Sequence, residues 1–260
     1  MNKIKVITSN IRFDNPKDGN HIWANRISIL TDIINNAKAD FLGTQEGWRS
    51  QLYEFFAKLS DLVIVDEHRS WIEERMYPTI FINPKTFELI KSGDIWLSKT
   101  PSVPASKSFN SAFPRLCTWA RVKHKELGTN LLLINVHLDH LETTTRQEQI
   151  KVLISEVEKI RKKNEEIILT GDFNEGPSED VRKILIDSDI ELDDSWLLLN
   201  KEEEASHHKF TGTNPTGTRI DWILTSKSLN PISTRLVKES TEGIFPSDHF
   251  PVISEYELKS

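Results

Sequence analysis

Short apolar runs separated by polar turns dominate the chain, and their richness in Ile, Val, Leu, Phe and Trp predicts strands. Ten such runs stand out: IKVITSN, DFLGTQE, LVIVDEH, PTIFIN, FELIKSGDIWLS, CTWARVKHK, TNLLLINVHLD, EEIILTGDFN, RIDWILTS and HFPVISEYEL. Helical spacing interrupts them. Ile27, Leu30, Ile34 and Ala37 recur at helical intervals before the second run, and Leu52, Phe55, Phe56 and Leu59 do so after it. Ile150, Leu153, Ile154, Val157 and Ile160 mark the longest helix, with Arg161, Lys162 and Lys163 at the end where the dipole favours cations. Ser178 reads as the N-cap of a short helix carrying Val181, Ile184 and Leu185.

From about Leu62 to Leu133, strand follows strand with short turns such as Asn83-Pro84-Lys85, which predicts antiparallel meanders. Ten strands are too many for one twisted sheet. The expected architecture is therefore α/β, a four-layer α/β/β/α sandwich of two mixed, largely antiparallel sheets. Proline and glycine are dispersed, and neither a low-complexity tract nor a short-period repeat breaks the chain, so a single domain over residues 1–260 is expected.

Charge and cysteine content narrow the function classes. With 33 basic and 39 acidic side chains the net charge is −6, which argues against a protein held to nucleic acid by bulk charge and leaves a local site open. Cys117 is alone, so neither an internal disulfide nor a cysteine-built zinc site is available. No stretch reaches the roughly 20 apolar residues of a membrane span, and MNKIKVITSN enters a strand-like alternation without a signal peptide's apolar core. A cytoplasmic protein without a membrane partner is expected.

The candidate chemistry lies where the apolar runs end. Asn10, Glu46, His137 and Asp172 close four of them, Asn174 follows Asp172, Asp221 lies inside RIDWIL, and Asp248-His249 opens HFPVI. One such residue is ordinarily a turn former. Six strand tips together predict a shared mouth of oxygen ligands and imidazoles. Carboxylates, amides and water are hard donors that suit Mg²⁺, or Mn²⁺ in its place. A zinc site at His137, Asp139 and His140 is the rival reading, close to the HxHxDH of metallo-β-lactamase-like hydrolases, but Asn135 occupies the first ligand position. A cation beside carboxylates and imidazoles is equipment for phosphoester hydrolysis, with a carboxylate taking the proton of the attacking water. There is no GxSxG elbow and no phosphate-cradling GxxxxGK[ST] loop.

The ordered set SNIRFDN, TQEG, NVHLDH, TGDFN, RIDWIL and SDHFPV resembles the endonuclease/exonuclease/phosphatase superfamily, which includes pancreatic-type deoxyribonuclease, inositol polyphosphate 5-phosphatases and the deadenylase nocturnin. The likeness runs from Asn10 to His249. The stretches NIRFDNPKDGNHIWANR and PRLCTWARV look most like a bacterial branch whose substrates are mostly unassigned. The resemblance implies Glu46 as the main Mg²⁺ ligand, with Asn10 beside it and Asp248 completing the metal region. It implies Asp172 as the group that orients or deprotonates water, Asn174 as a phosphate contact, and His249, held in its tautomer by Asp221, as the imidazole on the scissile phosphate. His137 would act near the leaving oxygen, as general acid or electrostatic stabiliser. A catalytically silent domain that binds a phosphorylated partner is the alternative from another class, and the intact set of these residues speaks against it.

Further residues are weighed beside that set. Arg115 is a candidate for substrate phosphate against a surface salt bridge, and Arg12 for lining the mouth. Asp139 and His140 could hold a second cation, and are expected instead to order His137. His207-His208 is expected in a solvated loop. The loops expected to select substrate are 14–25, 67–77, 100–114 and 202–218. The His249-Asp221 pair predicts a pH dependence in the range where histidine titrates.

Overall fold

The run Asn130–His137 is buried along nearly its whole length because a second sheet covers one of its faces and a helix the other. The computed structural model describes residues 2–258. In chain order the first strands are β1 (Lys3–Asn10), β2 (Phe41–Gly47), β3 (Val63–Val65), β4 (Tyr77–Ile82), β5 (Phe87–Trp96) and β6 (Leu116–His124). There follow β7 (Asn130–His137), β8 (Glu166–Asp172), β9 (Leu192–Asp194), β10 (Asp221–Ser226), β11 (Leu229–Leu236) and β12 (Val252–Leu258). The helices are α1 (Trp23–Ala37), α2 (Arg49–Phe56), α3 (Thr143–Ile160), α4 (Asp180–Ile186) and α5 (Ser195–Leu198).

Two six-stranded sheets result, in the orders β11-β12-β1-β2-β4-β3 and β5-β6-β7-β8-β10-β9. Three apolar layers hold them. Val6, Phe41, Ile80, Val122, Leu133 and Ile223 fill the space between the sheets. On the outer face of the first sheet, Ile27, Leu30 and Ile34 of α1 and Leu52 and Phe55 of α2 pack on Ile7, Leu42 and Phe81. On the outer face of the second, Ile150, Leu153 and Val157 of α3 pack on Leu132, Ile134 and Leu169. The α/β/β/α sandwich is thus the observed fold.

Among the described residues parallel pairing occurs twice, β1 with β2 and β7 with β8, and each pair is bridged by a long helix, α1 or α3. The carboxyl ends of these two βαβ units carry Asn10, Glu46, His137 and Asp172, the strand ends at which ligands bind in open α/β sheets.

Several local expectations are corrected. The turn at Asn83-Pro84-Lys85 does not join a meander; it carries the chain from β4 in one sheet to β5 in the other. Strand β11 escapes the periodicity because Pro231 interrupts it, at an edge position and beside a register shift where a missing N–H is tolerated. Glu179, not Ser178, occupies the cap of α4.

The sheets come close together at Gly43, where an added Cβ would lie 2.4 Å from Thr170 Oγ1 and 2.8 Å from the Asn135 side chain. Asn135 stitches the layers there by donating to the Thr44 and Thr79 carbonyls, 2.8 and 3.0 Å away, while accepting from Gln45. This occupation, deep between the sheets, removes Asn135 from any metal site. Gly43→Ala is expected to destabilise the fold by about 1–3 kcal/mol, read as a lower urea midpoint. An unchanged midpoint would show that the sheets separate freely.

Candidate active site

Register places the site residues before any side chain is considered. His137 on β7 pairs with Asp172 on β8, and Asp172 pairs across its other edge with Asp221 on β10. The second sheet therefore presents His137, Asp172 and Asp221 in one row. Asn10 and Glu46 face them from the first sheet, where Asn10 Nδ2 donates to Glu46 Oε1 at 3.1 Å and to Asp172 Oδ2 at 2.9 Å. The two sheets are thus joined at this edge by one amide.

His249 enters from the segment before β12. Its Nδ1 lies 2.8 Å from Asp221 Oδ2, and its Nε2 lies 4.0 Å from Asp172 Oδ2. Burial works against a charged ring, but Asp221, Asp172 and Asp248 outweigh it, and the imidazole is raised to about 10. Asp172 is pushed up to about 6, first by burial and then by the neighbouring Asp221 charge. His137 is held well below the usual histidine range by burial and by Arg115, His249 and His140, so its ring is neutral.

Backbone strain marks the same place. Arg12, Glu46 and Asn174 all adopt positive φ, at 53°, 66° and 52°, a conformation that non-glycine residues occupy at a cost. For Glu46 the origin is a register shift between β2 and β4 that turns its carboxylate into the mouth. Glu46 accepts from Asn10 and from the Phe13 N–H at 3.2 Å, and it has no ion pair among the described residues. A partly exposed carboxylate without a counter-ion, among hard oxygen donors, fits Mg²⁺ or Mn²⁺, which take few protein ligands and keep their waters.

The structure refines the other expectations residue by residue. Asn10 Oδ1 accepts from Arg12 N at 2.9 Å, so its amide is committed to orienting carboxylates. Asn174 Nδ2 donates to the Leu138 carbonyl at 3.1 Å, which turns its oxygen, an acceptor, toward other partners. Arg12 pairs with both oxygens of Asp18 at 3.0 Å and approaches Asp248 at 3.8 Å, so its charge is largely spent. Asp248 lies between Arg12, His207 and His249, and a hydrogen bond from His207 with the neighbouring His249 and Arg12 charges holds its carboxyl well below the usual range against the cost of burial. Arg115 is no surface salt bridge: at 7% exposure its guanidinium lies 3.0 Å from His137 and 3.2 Å from His140, with Nε unpartnered.

Asp139 does not order His137. It accepts from Ser111 and from the N–H groups of Ala112, Leu141 and Glu142, tying two loops together. With its oxygens committed and Asn135 interior, the zinc set at His137, Asp139 and His140 does not assemble. His207 and His208 are not a solvated pair either. His207 tilts against His249 with ring centroids 4.6 Å apart, and His208 is buried on Phe250 at 3.9 Å.

Sequence reasoning missed the residues that hold the mouth in shape. Arg26, buried on α1, donates to the carbonyls of Ile11, Arg12, His21 and Pro246, pinning the loop after β1 to the segment bearing His249. An arginine between Trp23 and Ile27 on an apolar helix face was the available signal. Ser206 Oγ accepts from the Ile220 and Asp221 N–H groups and sets Asp221 for His249.

The mouth is a cavity of about 290 Å³ that includes Glu46, Asp172, Asn174, Asp248 and His249. A model of the endonuclease/exonuclease/phosphatase family matches residues 7–249. An endonuclease/exonuclease/phosphatase family protein from Bacteroides thetaiotaomicron is 27% identical over 99% of this chain and 95% of its own, with a TM-score of 0.88. A mannosyl-6-phosphatase from the same organism is 28% identical over 98% and 100%, with a TM-score of 0.86. The human nocturnin catalytic domain, at 21% identity over 99% and 94% and a TM-score of 0.74, shares the fold. Comparison with curated proteins yields no match.

Proposed function

The chain belongs to the endonuclease/exonuclease/phosphatase family, and from that premise we propose that it hydrolyses a phosphate ester by in-line attack of water, with a divalent cation held at Glu46. The observation that carries this reading is the buried row His137, Asp172 and Asp221 with His249 behind it, facing Glu46 across Asn10.

Each residue then has a task its surroundings prepare. Asp172, kept basic by burial beside Asp221, accepts the proton of the attacking water. The Asn174 amide oxygen helps hold that water, since an acceptor receives a water proton and repels a phosphate oxygen. Protonated His249 donates from Nε2 to the phosphate, its other nitrogen fixed by Asp221. Neutral His137 and the Arg115 guanidinium stand where charge grows on the leaving oxygen; a neutral ring stabilises by hydrogen bonding and is a poor proton source. When bound, Mg²⁺ or Mn²⁺ supplies Lewis-acid stabilisation of the phosphate oxygens. Asp248 serves as the acceptor that keeps Arg12 and His207 oriented at the rim.

The mannosyl-6-phosphatase among the relatives favours a phosphomonoester. The net charge of −6 offers no broad attraction for duplex nucleic acid, and no helix among the described residues is long and apolar enough to cross a membrane. The test is hydrolysis of an aryl phosphomonoester, a bis-aryl phosphodiester, sugar phosphates and short oligonucleotides with Mg²⁺, Mn²⁺ or chelator. Turnover abolished by chelator and by Glu46→Gln is expected. Chelator-resistant turnover, or an active Glu46→Gln variant, would refute the metal assignment.

A further inference from the structure

Beside the catalytic mouth lies a second cavity of about 260 Å³, which shares Phe13, Met76, Phe113, Arg115 and His137 with it. The remainder of its wall is apolar, formed by Trp48, Pro78, Trp96, Pro114 and Leu116, with Glu74 and Arg75 at its polar side. Apart from Arg115 and His137, none of these residues has a task in the hydrolytic step.

Three features point to an occupant. Arg115 forms the partition between the two cavities, and it is a buried cation with an unpartnered Nε and no ion pair among the described residues. Such a charge is costly without an anion, and an oxygen bridging phosphorus and carbon would lie at this partition. Beyond it, Trp48 and Phe113 remain 38% and 46% exposed, so large aromatic faces at the cavity are uncovered. Glu74 is exposed at a positive φ of 56°, and neither Glu74 nor Arg75 has a side-chain hydrogen bond or ion pair among the described residues. A carboxylate and a guanidinium free at the edge of an aromatic floor suit a ligand with a C–H face and a ring of hydroxyls.

The cavity, at about 260 Å³, has room for one six-membered ring with its substituents. Phe13 and Trp48 are parallel within 5° at 6.3 Å between centroids, closer than the roughly 7 Å needed to sandwich a base at van der Waals contact on both faces. They form a one-sided shelf.

We propose that this second cavity seats the alcohol leaving group, and that the group is a single hexose- or inositol-sized cyclic polyol. The proposal rests on the phosphoesterase reading and adds the substrate class. In the reaction, the water oxygen bonds to phosphorus, the bond from phosphorus to the polyol oxygen breaks, and a proton from solvent restores the free hydroxyl.

The experiment compares kcat/KM for hexose 6-phosphate, hexose 1-phosphate, inositol 1-phosphate, glycerol phosphate, nucleoside 5′-monophosphate and a short oligonucleotide. At least one ring polyol phosphate is expected to exceed glycerol phosphate and the nucleotides by tenfold or more. In Trp48→Ala that advantage over glycerol phosphate should shrink at least tenfold, through KM and with kcat little changed. Calorimetric titration of Asp172→Asn with the same ring polyol phosphates reads the cavity apart from the reaction, and saturable binding weakened tenfold by adding Trp48→Ala or Glu74→Gln supports the proposal. Preference for nucleotides or oligonucleotides, an advantage unchanged in Trp48→Ala, or no binding at millimolar concentration overturns it. Loss of all turnover with binding intact would instead strike the hydrolytic reading.

Discussion

Asp172→Asn is expected to lower kcat by a factor on the order of 10³ while leaving the protein at least as thermostable as its parent. The two effects share one cause. Asp172 is buried, opposite Asp221 in the strand register, and its carboxyl is raised to about 6. A carboxyl raised above its unfolded value favours the fold in its protonated form. That contribution is complete below the unfolded value of 3.8 and is lost as pH rises through about 6. At neutral pH the ionised side chain therefore strains the fold. Asparagine keeps the shape, removes the charge and cannot accept the water's proton. Melting of metal-free protein should show the variant gaining on the parent between about pH 4 and pH 6 and holding that gain at pH 7, where a variant of lower stability would contradict the crowding. Activity of the parent should rise with pH as Asp172 deprotonates, with a midpoint near 6 in kcat/KM; metal held at Glu46 moves that midpoint lower. The ionisation expected in the histidine range thus belongs to the carboxyl.

The second large effect is expected in Asp221→Asn. His249 stays protonated to about 10 because three carboxylates outweigh its burial, and Asp221, at 2.8 Å, is the first among them. Without that charge, burial governs and the ring loses its proton at a much lower pH. A loss of two to three orders of magnitude in kcat/KM at pH 8 is expected. The alkaline limit of activity, near 10 in the parent, should move toward neutrality, so that the variant is least impaired at the acid end of its profile. A uniform loss at all pH values would mean that Asp221 only orients the ring. Asp221 Oδ1 is buried without a partner, so the substitution must place its amide nitrogen on one side or the other; His249→Gln provides the check, since it removes the titrating group and should abolish the alkaline limb.

Much of this protein is written locally. Period-two apolar runs and the helical spacing of Ile27, Leu30 and Ile34 determine strands and helices because burial of one face follows directly from residue order. The residues at the strand ends, from Asn10 to His249, are likewise legible, since parallel strands bring their carboxyl ends to one edge whatever the loops do. What only the tertiary structure decides is the state and partner of each group. The partnership of Asp172 with Asp221, the neutrality of His137 beside Arg115 and the high value for His249 beside Asp221 arise between residues 49, 22 and 28 positions apart, through burial and register that no local pattern encodes. Arg115 shows the same limit: its sequence neighbours allow a surface ion pair, and only the convergence of β6 and β7 buries it against His137. His207 and His208 follow an acidic, polar stretch, yet ring contacts draw His207 to His249 at the mouth and bury His208 on Phe250. Electrostatics and enclosure depend on distances in space, and chain order specifies those distances only after the two sheets have closed on each other.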